Sequence, residues 1–268
     1  MRNNLLILSL TILYSCIPHE EKIINTEIKT ELIKNISNKK KNKEQNKHRT
    51  IEMKNFLMGK FKVNQHNNFV LVDKKYHNKE EMYLQKETLD AFIRMNKLAK
   101  EEGIHLKIVS GTRDFYSQRA IWERKYNLNK SNGLSNIENI KTIMAWSAMP
   151  ATSRHHWGTE IDINGFEEYF NGKNERSNKE YKWLKSNAHK FGFCQVYTKK
   201  KKEKRYSGYN EEKWHWSYMP LSSYYLQKYK ELITYTDING FTGHDLVKEL
   251  DIIKRFVLTI ENECNSVL

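Results

Sequence analysis

The sequence predicts a folded domain that mixes helices with short strands, and three stretches carry this prediction. Residues 86–102 place apolar side chains near one helical face, and Gly103 stands where it can end a helix. Residues 105–109 form a strand candidate that runs into a turn at 110–113. Residues 159–163 form a second strand candidate. A chain of 268 residues has room for one large or two small domains, and we expect one domain with an N-terminal extension.

The other elements follow in chain order. Residues 127–140 are polar and Asn-rich and include Gly133, so we predict a loop there. After residue 245, apolar side chains recur every three or four positions, which predicts a helix packed on the domain. The remaining predictions are a helix over 117–126, a helix over 180–190, a strand pair that begins at Val196 with its turn at 199–209, and helices over 222–233 and 245–261.

The chain is basic, with a net charge of +14. On composition alone, this charge fits nucleic acid, an anionic lipid or an acidic polymer as a partner. The N-terminus distinguishes these partners, because the apolar run at residues 5–13 has the length of a signal-peptide core and is too short to span a bilayer. We therefore expect an exported protein without a nucleic-acid partner.

The apolar run ends in Leu13, Tyr14, Ser15 and Cys16, which resembles the lipobox of bacterial lipoproteins. This resemblance implies cleavage before Cys16 and lipidation of its thiol, which would anchor the protein to a membrane of the bacterial cell envelope, on its periplasmic or outer face. Ordinary secretion with an incidental Cys16 is the alternative. The other two cysteines, Cys194 and Cys264, can pair in such a compartment, although their spacing does not show that they do.

Residues 17–50 are rich in Lys, Asn, Glu and Ile and have almost no aromatic side chains. We predict a solvated, flexible, basic tether between the signal peptide (1–16) and the folded domain (51–268). An alternative for the Lys-rich residues 39–43 is electrostatic contact with anionic lipid head groups.

Two short segments contain the residue types of a zinc site. His155 is followed seven positions later by Asp162, and His215 is preceded three positions earlier by Glu212. Two histidines and one carboxylate are a common ligand set of catalytic zinc, which keeps its fourth position for water. Glu212 then remains as a free carboxylate that can take a proton from that water.

These segments resemble the VanY-type D-alanyl-D-alanine carboxypeptidases, whose pattern is Ser-x-His-x-x-Gly-x-Ala-x-Asp followed by Glu-x-Trp-His. The matching residues are Ser153, His155, Gly158 and Asp162 in the first part, and Glu212, Trp214 and His215 in the second. One position departs from the pattern, because Glu160 stands where a small residue is usual. In a strand, Glu160 would lie on the same face as Asp162.

The resemblance implies an α+β fold in which helices flank a small antiparallel sheet that carries a zinc ion. It implies His155, Asp162 and His215 as metal ligands and Glu212 as the general base. The turn at 110–113 also resembles the family, whose strand there ends in a Gly-aromatic-Arg segment followed by Gln: Arg113 and Gln118 match, and Thr112 replaces the aromatic residue. The resemblance implies that Arg113 stabilises the charge of the transition state and that Gln118 and Ser153 contact the substrate. The implied substrate is a peptidoglycan stem peptide ending in D-alanine; no oligomeric state is predicted.

Several alternatives share these residues. The same zinc centre can serve L,D-carboxypeptidases, D-Ala-D-Ala dipeptidases and stem-peptide endopeptidases, since the pocket walls set the bond that is cut. A different class is a lipoprotein that binds cell wall through a catalytically silent zinc fold. Glu212 argues against silence, because a structural zinc site fills all four positions with protein ligands.

Overall fold

The computed structural model describes residues 19–201 and 205–266. Its helices are α1 (His19–Leu57), α2 (Lys86–Glu101), α3 (Phe115–Ser131), α4 (Asn136–Met144), α5 (Glu175–Asn187) and α6 (Met219–Leu232), and its strands are β1 (Phe69–Leu71), β2 (Tyr83–Gln85), β3 (Ile108–Ser110), β4 (Glu160–Ile163), β5 (Phe193–Cys194) and β6 (His215–Tyr218). Among the described residues, no helix is long and apolar enough to cross a membrane.

The central sheet contains four antiparallel strands in the order β3-β4-β6-β5, and β1 and β2 form a separate antiparallel pair. This arrangement confirms the predicted α+β class with a small antiparallel sheet. Strands β4 and β6 are buried along their whole length. They pair so that Asp162 lies directly opposite His215.

The two faces of β4 and β6 differ in chemistry because side chains alternate along a strand. Ile161 and Trp216 point into an apolar core that also contains Phe92 of α2 and Leu184 of α5. Glu160, Asp162, His215 and Ser217 occupy the opposite face, where they contact one another. The sheet therefore has one face that stabilises the fold and one that carries polar chemistry.

The structure differs from the prediction for residues 19–50, which lie in α1 and not in irregular chain. Neither proline nor glycine occurs between Pro18 and Gly59, so nothing in the sequence interrupts a helix there. The chain divides into two compact units at Ile51 and Glu52. The role of residues 17–50 as a tether stays a prediction, and Cys16 with the apolar run at 5–13 lies outside the described residues.

The predicted loop over 127–140 is wrong. Helix α3 continues to Ser131, and α4 begins after a capping box in which Ser135 and Glu138 satisfy each other's backbone amides. Three of the asparagines that indicated a loop are hydrogen-bonded within the protein: the buried side chain of Asn139 donates to the carbonyl of Tyr126 at 2.8 Å, Asn129 donates to Asn139, and Asn136 accepts from the Tyr126 hydroxyl.

The single helix predicted over 245–261 is also wrong. The structure has a short 3₁₀ turn at His244–Leu246 and a π-helical turn at Ile253–Val257. Between them, Asp251 has a positive φ of 50°, which an α-helix does not accommodate. Of the apolar positions in this segment, Ile253, Val257 and Ile260 are buried. Leu246 and Leu250 are partly buried against the same core.

The predicted strand pair after Val196 is shifted in the chain. The first arm is β5, which ends at Cys194, and the second is β6, which begins at His215. Cys194 forms a disulfide with Cys264, with their Cα atoms 5.7 Å apart. This bond joins β5 to the C-terminal 3₁₀ turn at Asn262–Ser266.

Candidate metal centre

His155 lies in a buried 3₁₀ turn, Arg154–Trp157, whose end is set by Gly158. Gly158 has a left-handed conformation with φ of 71°, and a Cβ atom there would lie 2.4 Å from Cε1 of Phe69. Both the conformation and the close approach require glycine. The turn can therefore end abruptly, and β4 begins two residues later.

The predicted ligands His155, Asp162 and His215 come together, and one ligand atom from each lies within 4.8 Å of the others. Nε2 of His155 is 3.3 Å from Oδ2 of Asp162, and Nδ1 of His215 is 3.1 Å from Oδ1 of the same carboxylate. All three residues are buried. The sheet and the 3₁₀ turn thus bring two imidazoles to one carboxylate.

Hydrogen bonds define which ring nitrogen of each histidine faces the centre. Nδ1 of His155 donates to the carbonyl oxygen of Gly111 at 2.8 Å, which leaves the Nε2 lone pair facing Asp162. Nε2 of His215 is 2.9 Å from Oε2 of Glu160, so its Nδ1 faces Asp162. Two directed imidazole nitrogens and a carboxylate fit a zinc ion as three protein ligands.

Electrostatics at the two histidines differ. Burial lowers the pKa of His155 to about 4, with Arg113 adding to the effect, which keeps this imidazole neutral. Burial also lowers the pKa of His215, but hydrogen bonds to Asp162 and Glu160 outweigh it and raise the pKa to about 9. A cation bound at Nδ1 of His215 therefore displaces a proton from that nitrogen.

His156, next to His155 in the sequence, is not one of the three residues of the metal-binding group. Its Nδ1 donates to the carbonyl oxygen of Arg113 at 2.7 Å, and its ring fits against Gly59, where a Cβ atom would lie 2.4 Å away. His156 thus connects the 3₁₀ turn to the segment after α1.

Glu212 lies beside the ligands without being one of the three. Its Oε2 is 3.7 Å from Nδ1 of His215, and the residue is buried. Burial raises the pKa of its carboxyl to about 8, although His215 opposes this effect. A hydrogen bond fixes the backbone of Glu212, because its amide donates to the carbonyl of Tyr197 at 2.8 Å.

Arg113, Gln118 and Ser153 line the same cavity of about 490 Å³ as the metal-binding side chains. Nη1 of Arg113 donates to Ser110 at 3.1 Å, whereas its buried Nε has no partner among the described residues. The Gln118 amide donates to the carbonyl of Ala148 at 2.7 Å, and its buried oxygen likewise has no partner there. The cavity therefore contains polar groups available to a ligand.

Sequence reasoning missed two lysines and part of the cavity wall. Lys79, from the loop before β2, and Lys125, from α3, both line the cavity and add positive charge near Arg113. Trp214 forms an aromatic wall with Trp146 and Phe166, at ring-centroid distances of 5.9 and 6.0 Å. Trp214 belongs to the second motif, but no local pattern marks the two lysines, Trp146 or Phe166, because they come from separate segments that only the fold brings together.

Three tryptophans of the two motifs have separate positions. Trp214 lines the cavity. Trp157 lies in the core beneath the 3₁₀ turn and donates from Nε1 to the carbonyl of Leu57 at 3.1 Å. Trp216 points to the apolar face of the sheet. Only the first of these tryptophans contacts the cavity.

Two curated proteins are similar in sequence to about half of this chain. A relative in Enterococcus faecalis (strain ATCC 700802 / V583), a D-alanyl-D-alanine carboxypeptidase, is 30% identical over 125 residues, which cover 47% of this chain and 44% of the relative. YodJ of Bacillus subtilis (strain 168), whose name assigns it to the carboxypeptidases, is 33% identical over 146 residues, covering 52% of this chain and 48% of YodJ. The chain thus spans about half the length of the curated relatives it matches.

Solved structures with similar folds include VanYB in complex with D-alanine-D-alanine, at 24% identity and a TM-score of 0.46, covering 61% of this chain and 85% of that chain. A VanY D,D-pentapeptidase mutant in complex with Zn(II) has 23% identity and a TM-score of 0.45, covering 63% and 94%. The LD-carboxypeptidase LdcB has 24% identity and a TM-score of 0.48, covering 78% and 81%.

The sequence model of one family matches more than half of the chain. This model, VanY, is described as D-alanyl-D-alanine carboxypeptidase, and it matches residues 81–221, which include both motifs and the strands that carry them. The chain belongs to the VanY family of D-alanyl-D-alanine carboxypeptidases.

Proposed function

We propose that this protein is a zinc-dependent D-alanyl-D-alanine carboxypeptidase that removes the terminal D-alanine from peptidoglycan stem peptides. The observation that carries the proposal is the convergence of His155, Asp162 and His215 with Glu212 in one cavity. A structural zinc site fills all four coordination positions with protein ligands, so it would not combine three ligands with a separate buried carboxylate. Family membership supports the peptidase class.

In this proposal, His155, Asp162 and His215 hold the zinc ion. A bound zinc ion supplies Lewis-acid chemistry, which activates water and polarises the scissile carbonyl. The protein's own contribution begins with orientation, because the Gly111 carbonyl and the Glu160 carboxylate each hold one ring nitrogen and aim the other at the centre.

Glu212 moves the proton. Its carboxylate takes a proton from the attacking water and returns it to the leaving amine, so cleavage needs no covalent intermediate. Its position, 3.7 Å from His215 Nδ1, places it next to the ligands without blocking them. Burial of Glu212 and the aromatic wall at Trp214 limit access of bulk water to the reacting atoms.

Arg113, Gln118 and Ser153 bind the substrate end. The Nε atom of Arg113 is buried and has no partner within the described part of the chain, and such a buried donor is costly until a substrate oxygen accepts from it. A guanidinium keeps its charge and offers several donors in one plane, so it suits the oxyanion and a terminal carboxylate. Lys79 and Lys125 add to the positive potential that attracts such a carboxylate.

We propose that the protein acts in the bacterial cell envelope, where peptidoglycan is found. Attachment through lipidated Cys16 would keep the enzyme at a membrane next to its polymeric substrate. The signal-like run at residues 5–13 supports export.

Mass spectrometry of peptide cleavage tests the activity. The zinc-loaded protein is incubated with a free stem pentapeptide ending in D-Ala-D-Ala and, separately, with the tetrapeptide ending in one D-alanine. Release of a single D-alanine from the pentapeptide alone is expected. Release from the tetrapeptide would instead indicate an L,D-carboxypeptidase. A released dipeptide or an internal fragment would overturn the proposal.

A further inference from the structure

Glu160 is a fully buried carboxylate next to a metal-binding histidine. Its Oε2 is 2.9 Å from Nε2 of His215, on the side of the ring opposite Asp162. It stands where the VanY pattern has a small residue, so the pattern assigns it no role. Alternation along β4 puts it on the polar face, but its contacts are visible only in the folded protein.

A second set of contacts holds the other oxygen of Glu160. Nη2 of Arg154 lies 3.2 Å from Oε1, and the hydroxyl of Ser217 donates to the same oxygen at 2.7 Å. Nη2 of Arg154 also donates to the Ser217 hydroxyl at 2.7 Å. Arg154 and Glu160 have no exposed side-chain surface, so the arginine charge offsets the carboxylate charge within the protein interior.

We propose that Glu160 is a positioning residue of the metal site: it accepts the Nε2 proton of His215, fixes the tautomer of the ring and aims Nδ1 at the metal. This inference rests on the proposed zinc site and concerns how tightly this chain holds the ion. A small side chain at position 160 would leave His215 Nε2 without this acceptor and Arg154 without its counter-charge.

The two histidine ligands are therefore supported by different groups. His155 donates to the neutral backbone carbonyl of Gly111, whereas His215 donates to a full carboxylate. A carboxylate behind a ligating histidine raises the basicity of the ring and strengthens its bond to the metal. Ser217 pairs with Glu160 across the β4–β6 ladder, so the same strand pair that aligns the ligands also aligns their support.

Zinc affinity of the Glu160→Gln variant tests this role. The amide keeps the size of the side chain but removes its charge, so zinc should bind about 10- to 100-fold more weakly, as is typical for loss of such a supporting group. Competition with a chromophoric chelator measures the dissociation constant. The visible absorption of bound Co²⁺ should also change, which a purely structural role of Glu160 would not cause.

Glu180→Gln is the matched control. Glu180 is a buried carboxylate that contacts Arg176 at 2.9 Å and the hydroxyl of Tyr169 at 2.7 Å, and it lies outside the metal site. Its variant should keep the parental zinc affinity and Co²⁺ spectrum. If Glu160→Gln does not fold, Ser217→Ala replaces it, and loss of one hydrogen bond to Glu160 should weaken zinc binding roughly five-fold.

The outcomes separate this inference from the proposed function. If Glu160→Gln keeps the parental zinc affinity and Co²⁺ spectrum, the positioning role is overturned and the proposed peptidase activity is unaffected. The same holds if Ser217→Ala has to be used and keeps the parental zinc affinity. If the parental protein cleaves neither stem peptide but its variants bind zinc more weakly, the positioning role is supported and the proposed peptidase activity is contradicted. A parental protein that binds no zinc overturns both.

Discussion

The chemistry of single side chains at the site depends on which of their atoms are already engaged. His155 and His215 each use one ring nitrogen for a contact within the protein, and opposite nitrogens of the two rings face Asp162. Glu212 is the carboxylate beside them that keeps an oxygen 3.7 Å from the nearest ligand nitrogen. This difference in engagement distinguishes the three proposed ligands from Glu212, the proposed proton acceptor.

Glu212→Gln should separate zinc binding from turnover. The amide has nearly the same shape, so we expect the fold and the zinc content to be retained. It cannot accept the proton of the attacking water, and loss of a general base typically costs about 10²- to 10⁴-fold in rate. Metal analysis and steady-state kinetics on the pentapeptide measure both quantities. A variant with the parental rate would show that Glu212 takes no part in the reaction.

The residues that sequence could predict are those with fixed local spacing. His155 and Asp162 lie within one turn-and-strand unit, and Glu212 and His215 lie within another, so each half of the site is encoded locally. Lys79 and Lys125 have no such pattern, because each reaches the cavity from a different segment. Glu160 is intermediate: alternation predicted its face, and only packing supplied its partners.

At the scale of elements, two strands of four residues each hold Asp162 and His215 of the site. The ladder between β4 and β6 puts Asp162 opposite His215, and a slip of either strand by one residue would turn that strand's ligand to the apolar face. Ile161 in β4 and Trp216 in β6 oppose such a slip, since it would move the apolar side chain of the slipped strand out of the core. The apolar face thus maintains the register on which the ligand geometry depends.

The elements that sequence reasoning missed share a physical cause. Helix α4 contains asparagines that usually favour loops, yet tertiary hydrogen bonds such as that from Asn139 satisfy them. The segment after position 245 has the apolar spacing of a helix, but Asp251 interrupts it with a positive φ and accepts a hydrogen bond from the hydroxyl of Tyr235. In both cases long-range contacts override the local signal.

Removal of the disulfide should lower stability more than activity. Cys194 and Cys264 are 70 positions apart, and the chain between them includes Glu212 and His215. For a loop of that length, the chain-entropy estimate of the stabilisation is about 4 kcal/mol. We expect a Cys194→Ser, Cys264→Ser double variant to unfold at lower denaturant concentration, while turnover below its transition stays near parental because the β4–β6 ladder is intact. An unchanged unfolding midpoint would contradict this prediction.

At the scale of the whole molecule, the N-terminal region is predicted to attach the protein to a membrane through Cys16. If Cys16 carries lipid, a Cys16→Ser protein should lose metabolic lipid label and leave the detergent phase. The metal ligands and Glu212 are unchanged, so activity on soluble peptide should remain. Detergent partitioning with retained label in Cys16→Ser would contradict the lipobox interpretation.

Paired truncations test where the catalytic unit begins. The chain divides at Ile51 and Glu52, and every residue assigned to the site lies in the second unit. A protein that starts at Glu52 should therefore bind zinc and cleave soluble pentapeptide at the parental rate. Its thermal unfolding midpoint should also stay close to parental.

A protein that starts at Gly59 should behave differently, because the last residues of α1 belong to the core of the second unit. Phe56, Leu57 and Met58 are at most 6% exposed, and the Leu57 carbonyl accepts a hydrogen bond from Trp157, within two residues of His155. Truncating one buried side chain of this size typically costs about 2–5 kcal/mol. Loss of all three is then comparable to a typical total stability of about 5–15 kcal/mol, so this protein should be largely unfolded by circular dichroism and should not retain zinc. Equal stability of the two truncated proteins would show that the end of α1 is dispensable.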